Sequence, residues 1–318
     1  MRRITARRTK TADAFVHLLS DEEDWAMQSA MAASRPLLVR GEPGIGKTQL
    51  ARAAAIDLKR PLITLTVDSS TESRELLWTF DAVQRLAEAQ VLSVTCKDEK
   101  LIQEKIDVKR FVRPGPIWWA FDWESAKEQL APGDKPPATP KNWTASDGVV
   151  VLIDEIDKAE SDVPNGLLDA FGSREFRPLG WNAPIVLPAN RKPPLLVITT
   201  NEERALPKAF LRRCFVLDLE LPDVLNGGEK EFVKQLIKKG KAHFSKATKP
   251  LLTKAATLLV ESRQNAMKNQ QRPLPGQAEY LDLVRAVLAL VEDGDSDVDT
   301  VFQNIANFVF QKYREPRR

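Results

Sequence analysis

The sequence predicts an α/β fold: a mainly parallel sheet of five strands with helices on both faces, followed by a smaller all-helical domain. Short runs rich in Val, Ile, Leu and Thr alternate with helical patterns as far as about residue 221, as in a parallel sheet with crossover helices. From Pro222 onward only amphipathic helical patterns follow, so we expect a domain boundary there. The predicted domains are 1–221, with an insertion at about 82–147 and a hairpin at about 175–192, and 222–318.

Each predicted element follows from its local pattern. The segments expected to be buried strands are short, apolar and rich in β-branched residues, and they are 36–39, 62–67, 149–153, 195–200 and 215–221. The smaller helical domain, 222–318, is called the lid below. The segments expected to be its helices repeat apolar residues every three or four positions, and they are 229–243, 251–269, 277–291 and 298–312. A further short helix is expected over 12–19, ahead of the first strand.

A phosphate-binding motif joins the first predicted strand to a helical pattern. Its eight residues fit G-x-x-x-x-G-K-[ST], and with the residue that follows they are Gly41, Glu42, Pro43, Gly44, Ile45, Gly46, Lys47, Thr48 and Gln49. Glycine lets the backbone bend so that successive N–H groups face phosphate oxygens, and the start of a helix adds positive charge. We expect Lys47 to reach the β and γ phosphates and the Thr48 hydroxyl to hold Mg²⁺. The motif therefore predicts a nucleoside triphosphate site, and ATP is the expected nucleotide because no N-K-x-D guanine motif is present.

Polar side chains follow two other predicted strands. Asp154 and Glu155 come directly after 149–153, and Asn201 follows 195–200. Ligands of open parallel sheets bind beyond the carboxyl ends of the strands, so these groups are expected at the nucleotide. We expect Asp154 to hold Mg²⁺, Glu155 to act as general base on the attacking water, and Asn201 to bridge that water and the γ-phosphate. The pattern predicts an ATP-hydrolysing site.

Two adjacent arginines, Arg212 and Arg213, follow a short helical pattern at 206–211. A guanidinium group can make bidentate contacts with phosphate. One that is supplied by a neighbouring subunit acts as an arginine finger.

These motifs, in this order, resemble those of AAA+ ATPases of the MoxR-like group, in the helix-2-insert clade. The segments that carry the resemblance are 41–48, 154–159, 200–201 and 206–213, with further similarity at 76–83, 115–119 and 175–192. The resemblance implies that the first four are Walker A, Walker B, sensor 1 and the arginine finger, with Arg213 the better finger candidate and Arg212 its companion. It also implies a homo-oligomeric ring, commonly hexameric, that remodels a partner protein, often one with a von Willebrand factor A domain.

The sensor 2 arginine of that family, which contacts the γ-phosphate from the lid, is not obvious in this sequence. Arg272 is the first candidate and Arg285 the second, and either could instead be a surface charge. The tract from Phe121 to Asp147 is also longer than the resemblance leads us to expect.

The composition of the chain limits the class of protein to which it can belong. The 318 residues include 43% hydrophobic residues, enough for a substantial core, and the net charge is only +3. The two cysteines, Cys96 and Cys214, show neither metal-type nor disulfide spacing. No apolar run is long enough to cross a bilayer or to act as a secretory signal. We therefore expect a cytoplasmic protein without a membrane contact.

Three features leave alternatives open. The basic start of the chain, with Arg2, Arg3, Arg7, Arg8 and Lys10, is either a frayed terminus or a contact for phosphate. Residues 118–123, with three tryptophans, are either core, a surface for stacking bases or an aromatic pore surface. The acidic residues 292–297 fit a solvated loop better than a metal-binding loop. Together with Arg191 and Lys192, the first two features favour a nucleic-acid-associated ATPase, in DNA processing or antiviral defence, as the alternative function.

Overall fold

The structure is a computed structural model that describes residues 1–6, 15–160, 162–292 and 298–310. Its contacts group the chain into two compact units. The first unit consists of Met1–Asp21, Gly41–Ala53 and Asp218–Arg318, and the second of Glu22–Arg40 and Ala54–Leu217. The domain boundary after residue 221 stays a prediction.

Strands and helices alternate over the described ranges. The strands are β1 (Arg2–Ala6), β2 (Phe15–Leu19), β3 (Leu37–Gly41), β4 (Leu62–Thr66), β5 (Trp78–Phe80), β6 (Val112–Pro114), β7 (Val150–Asp154), β8 (Glu175–Phe176), β9 (Ile185–Val186), β10 (Leu195–Thr200) and β11 (Phe215–Leu219). The helices are α1 (Asp21–Ala32), α2 (Lys47–Leu58), α3 (Ala82–Thr95), α4 (Glu99–Lys105), α5 (Pro116–Phe121), α6 (Trp123–Glu128), α7 (Asp162–Ser173), α8 (Lys208–Leu211), α9 (Glu229–His243), α10 (Lys249–Lys268), α11 (Gln277–Glu292) and α12 (Val298–Phe310). Short 3-10 helices lie at Ser73–Leu76, Val108–Phe111, Ala145–Asp147 and Ile156–Lys158.

The central sheet has five strands within the described ranges, in the order β11-β3-β10-β7-β4. Strand β10 pairs in parallel with both β3 and β7, so that Ile198 lies opposite Leu38 on one side and Ile153 on the other. All of β10 is buried, as expected for a middle strand of a sheet that is covered on both faces. Helices lie around this sheet and a helical segment follows it, so the predicted fold class is confirmed.

Most predicted elements agree with the observed ones. The strand at 195–200 and the helix at 229–243 have their predicted bounds, and the other sheet strands differ by one or two residues at one or both ends. The predicted hairpin is formed by β8 and β9, which pair antiparallel with Phe176 opposite Ile185. Helix α12 is described as far as Phe310, so the last two residues of that predicted helix lie outside the described ranges.

The helix predicted over 12–19 is wrong where the structure describes it. Residues 15–19 form strand β2, which pairs antiparallel with β1, and residues 12–14 lie outside the described ranges. Ile4 and Leu19 are buried in this hairpin, so burial and strand pairing decide a segment too short for a clear helical period. Arg2 and Arg3 therefore belong to a paired strand and not to a frayed terminus, while Arg7, Arg8 and Lys10 are not among the described residues.

The tryptophan-rich segment lies in the core of the second unit. Trp118 is fully buried, and Trp119 and Trp123 are exposed by only 6% and 5%. The Trp118 ring contacts Phe176 and Trp181 edge to face, and its indole nitrogen donates to Ser125 at 2.7 Å. The core alternative is thus confirmed, because a base could not stack on a ring whose faces are already covered.

The lid helices α9 to α12 have a core of their own in the first unit. Phe232, Leu252, Leu259, Tyr280 and Val284 are all fully buried in it. These residues recur at helical spacing on their own helices, which is why the helical pattern of the sequence located the helices so well. Among the described residues, no helix combines the length and the apolarity that would let it cross a membrane.

Candidate functional site

The phosphate loop, residues 41–48, belongs to the first unit and follows strand β3. Gly41, Gly44 and Gly46 have φ angles of 146°, 77° and 115°, in the region that L side chains rarely adopt. At Gly41 a side chain is excluded twice over, because its Cβ would lie 2.5 Å from the carbonyl oxygen of Leu219. The motif glycines are therefore required by the backbone of the loop.

Lys47 begins helix α2 and lies across its own loop. Its ammonium group donates to the carbonyl oxygens of Gly41 at 2.7 Å and Glu42 at 3.1 Å, and the residue is only 7% exposed. Thr48 and Gln49, in the first turn of the same helix, are half-buried. The predicted loop residues thus form one structural element, in which the Lys47 ammonium group binds two carbonyl oxygens of the loop.

A lid arginine that the sequence analysis missed also contacts the phosphate loop. One terminal nitrogen of Arg263 lies 2.7 Å from each carboxylate oxygen of Glu42, and the other donates to the carbonyl oxygen of Pro275 at 2.9 Å. Arg263 interrupts the apolar face of α10, next to Leu259 and Val260, and is itself buried. A charge at a buried helical position was the signal in the sequence that could have identified it.

The two sensor 2 candidates lie elsewhere on the lid surface. Arg272 is exposed, in the turn between α10 and α11. Arg285 is exposed on α11 and pairs with Asp282 at 2.5 Å. A role for Arg272 at the nucleotide therefore stays a prediction.

The second unit holds the acidic end of strand β7. Thr199 of the neighbouring strand β10 donates its hydroxyl hydrogen to Asp154 at 2.5 Å and accepts a hydrogen bond from the backbone nitrogen of Glu155 at 2.9 Å. Glu155 has the left-handed backbone angles φ 61° and ψ 47°, which are unfavourable for a residue with a Cβ. The buried Thr199 hydroxyl thus fixes both acids at the sharp turn where the strand ends.

The Glu155 carboxylate has two polar neighbours. One oxygen accepts from the Lys158 ammonium at 2.6 Å, and the other lies 3.4 Å from the side-chain nitrogen of Asn201. Donation to Glu155 raises the pKa of Lys158, so its ammonium is charged at neutral pH. The predicted base and the predicted sensor residue are therefore in hydrogen-bond reach of each other.

Asp157 fixes the loop that carries Asn201. This carboxylate is 2% exposed and accepts from the backbone nitrogens of Asn201 at 3.3 Å and Glu203 at 2.9 Å. The sequence analysis assigned no role to Asp157 or Thr199, because each of them forms hydrogen bonds with residues that are distant in the sequence.

Arg212 and Arg213 follow the short helix α8 and are both exposed. Two residues later, the backbone nitrogen of Phe215 donates to the carbonyl oxygen of Pro36 at 2.8 Å, where β3 and β11 begin. Arg213 therefore lies at the amino-terminal edge of the sheet, whereas Glu155 and Asn201 follow the carboxyl ends of their strands. A five-residue strand spans roughly 16 Å. Arg213 is accordingly too far to act on the acidic cluster of its own sheet.

A cavity of about 320 Å³ lies beside Arg213 in the second unit. Leu168, Phe171 and Leu187 contribute its apolar wall, and Arg35 and Arg174 lie at it with Arg213. Among the described residues none of these three arginines makes an ion pair or a side-chain hydrogen bond. Three exposed cations therefore lie at this cavity.

The fold and the motifs together define the class. A parallel sheet with a G-x-x-x-x-G-K-T loop after one strand, an Asp-Glu pair after a second and an asparagine after a third is that of a P-loop ATPase. The model of the family described as "AAA domain (dynein-related subfamily)" matches residues 36–214, more than half of the chain. The chain belongs to this family.

Comparison with solved structures returned two single-substitution variants of Thermotoga maritima RuvB. One is 16% identical with a TM-score of 0.44 and covers 89% of this chain and 67% of its own. The other is also 16% identical, has a TM-score of 0.42 and covers 89% of this chain and 66% of its own. No curated protein sequence matched the chain.

Proposed function

We propose that this chain binds ATP with Mg²⁺ and hydrolyses it only where a second copy supplies Arg213. The observation that carries the proposal is the position of Arg213, which is exposed at the amino-terminal edge of the sheet that ends in Glu155 and Asn201 at its other edge. A cation placed there can complete only the site of another molecule.

In this proposal the phosphate loop holds the triphosphate. Backbone N–H groups of 41–48 and the Lys47 ammonium bind phosphate oxygens, as the positive φ angles of the loop allow. The Thr48 hydroxyl and the Asp154 carboxylate are hard oxygen donors of the kind that Mg²⁺ takes from a protein, directly or through water, so the residues fit this cofactor. When bound, Mg²⁺ would neutralise charge on the β and γ phosphates.

Glu155 is the proposed general base. Its carboxylate can accept a proton from water, and Asn201, 3.4 Å away, can orient that water against the γ-phosphate. Lys158 occupies the other carboxylate oxygen and so leaves a single side of the group for this task. Arg213 of the neighbouring copy, with Arg212 as companion, would stabilise the charge that develops on the phosphate.

We place the chain in the MoxR-like group as part of the same proposal, on the order of its motifs. On that basis it would assemble into a ring, commonly hexameric, in the cytoplasm and remodel a partner protein, for which one with a von Willebrand factor A domain is the candidate. The nucleic-acid alternative loses the support of residues 118–123, because Trp118, Trp119 and Trp123 are buried. Arg191 lies 3.9 Å from Asp122 and Lys192 pairs with Asp147 at 3.0 Å, whereas Arg2 and Arg3 of β1 are exposed.

Mixing two inactive variants tests the proposal. Arg213→Ala removes the finger and should lower the rate by about 10³-fold while ATP still binds, and Glu155→Gln should bind ATP without hydrolysing it. In a mixture, a Glu155→Gln copy can lend its Arg213 to an Arg213→Ala copy whose Glu155 is intact, so part of the activity should return. Arg174→Ala, at the same cavity, is the matched control and should lose far less activity.

Two results would contradict the proposal. The mixture could stay as inactive as its components although both variants assemble, or Arg213→Ala alone could hydrolyse ATP at the wild-type rate. Either result would mean that Arg213 does not act across an interface.

A further inference from the structure

Arg263 of the lid helix α10 makes a buried contact with the phosphate loop that the motifs do not assign. The residue is 4% exposed, and one of its terminal nitrogens lies 2.7 Å from both oxygens of Glu42. The Glu42 side chain is 40% exposed, so the ion pair has one buried member and one at the surface of the loop. Glu42 and Arg263 belong to the same compact unit.

We infer that Arg263 is a positioning residue that neutralises and orients Glu42 and thereby sets the affinity of the phosphate loop for ATP. This inference rests on the proposed function, in which the loop binds ATP.

The first argument is geometric. Arg263 holds the side chain of Glu42, while the carbonyl oxygen of the same residue accepts from the Lys47 ammonium at 3.1 Å. Glu42 is thus fixed at both its side chain and its backbone, at the second position of the loop. The orientation of Glu42 therefore also sets the direction of the backbone N–H groups that follow it in the loop and that face phosphate in the proposed function.

The second argument is electrostatic. A carboxylate in a loop that receives a triphosphate repels its ligand unless a cation neutralises it. Arg263 supplies that cation, although burying a guanidinium group is unfavourable and its Nε is buried without a partner among the described residues. An apolar side chain would pack α10 without this penalty, so the pair is better explained by its effect on Glu42 than by stability.

The third argument is the link to the lid. The other terminal nitrogen of Arg263 donates to the carbonyl oxygen of Pro275, two residues before α11 begins. In the first turn of α11, the Cβ of Ala278 lies only 3.1 Å from where a Cβ on Gly44 would be. One guanidinium group therefore connects the loop to the lid turn that packs on it.

The experiment measures binding of a non-hydrolysable ATP analogue with Mg²⁺ by calorimetry, at fixed ionic strength, on the full chain. Arg263→Met should weaken binding by about tenfold to a hundredfold, the range of typical coupling between sites. Glu42→Gln removes the negative charge but keeps an acceptor for Arg263, so it should lose less affinity than Arg263→Met. The double variant should bind more tightly than Arg263→Met alone, because no unpaired carboxylate is left in the loop.

Lys234→Met is the matched control, since Lys234 is an exposed lid cation on α9 whose ammonium group lies 3.7 Å from the Glu231 carboxylate. It should bind the analogue as the wild type does. Arg263→Lys keeps the positive charge and should lose less affinity than Arg263→Met, and with Glu42→Gln it gives the same test should Arg263→Met fail to fold.

The outcomes separate the inference from the proposed function. A wild-type chain that does not bind the analogue would overturn the proposed function itself. A wild-type chain that binds, together with an Arg263→Met variant of equal affinity, would overturn only the inference. Equal losses in Glu42→Gln and in the folded Arg263 variants, with no recovery in the double variant, would show that the ion pair is structural and would overturn it as well.

Discussion

The acidic end of β7 depends on one hydroxyl group. Thr199 is fully buried and bonds both to the Asp154 side chain and to the backbone of Glu155, whose left-handed conformation needs support. Through these two hydrogen bonds Thr199 positions both acids.

Replacing Thr199 by valine tests this role. The substitution keeps the shape and removes both hydrogen bonds, one of them to a charged group, so we expect kcat to fall by about tenfold or more. ATP affinity should change much less, because the phosphate loop is untouched. Steady-state kinetics well below the melting temperature, combined with direct ATP binding, would measure the two effects.

Thr199→Ser is the conservative variant for the same position. It retains the hydroxyl and should restore most of kcat. A Thr199→Val enzyme with wild-type kcat would show that Asp154 and Glu155 keep their positions without this residue.

Local motifs explain which residues were predictable. The loop 41–48, Asp154, Glu155 and Asn201 could be read from the sequence because each motif is contiguous and lies at the end of a strand. Thr199 could not, since it acts on a neighbouring strand. For Arg263 the helical pattern indicates a buried charge but not its partner Glu42, which lies 221 positions away in the sequence. Only the fold brings such residues together.

At the scale of elements, the hairpin β1–β2 is joined to the lid helix α9 of the same unit. Arg3 donates to the carbonyl oxygen of Ala242 at 2.5 Å, near the end of α9. The next residue, His243, is partly buried, and burial is the main reason that its pKa is lowered to about 4, with Lys239, Arg285, His17 and Arg3 adding to the effect.

This histidine predicts a loss of stability in mild acid. In the unfolded chain it takes up a proton near its ordinary pKa of 6.5, whereas the folded state resists until about pH 4. The contribution of His243 is thus present above pH 6.5 and is lost as the pH falls towards 4, by up to about 1.4 kcal/mol per pH unit. Urea unfolding at a series of pH values between 7.5 and 4 would measure it.

His243→Asn supplies the comparison for that measurement. The variant cannot titrate in this range, so its free energy of unfolding should fall less steeply with acid than that of the wild type. Parallel curves for the two chains would mean that His243 has no part in the acid sensitivity.

The hairpin also marks the limit of sequence reading at this scale. Five residues cannot display a helical period well enough to be told from a strand, and the partner strand β1 lies in a segment whose arginines suggested a solvated end. The lid helices have 13 to 20 residues, long enough for their period to be unmistakable.

At the scale of the whole molecule, Glu155 and Arg213 lie at opposite edges of one sheet. In the proposed composite site a chain does not complete its own site, so its specific activity should depend on protein concentration. We expect ATP turnover per chain to fall on dilution, as copies separate, and to recover on concentrating the sample.

Turnover measured from high to low nanomolar chain concentration, beside sedimentation of the same samples, would test this dependence. Glu155→Gln, assayed for nucleotide binding across the same range, shows whether binding itself is lost on dilution. A turnover per chain that stays constant while the oligomers dissociate would contradict the composite site.

The separation of Arg213 from Glu155 gives any assembly a direction. Each copy would offer its arginine to the next copy and receive one from the copy behind it, so the contact is head-to-tail and either closes into a ring or continues as a filament. The site that a defective subunit inactivates then depends on which residue it lacks. A subunit without Arg213 inactivates the site of the next copy, and a subunit without Glu155 inactivates its own site. A subunit without both residues inactivates two sites. The activity lost when such defective subunits are mixed into the assembly would therefore reveal the direction of the head-to-tail contact.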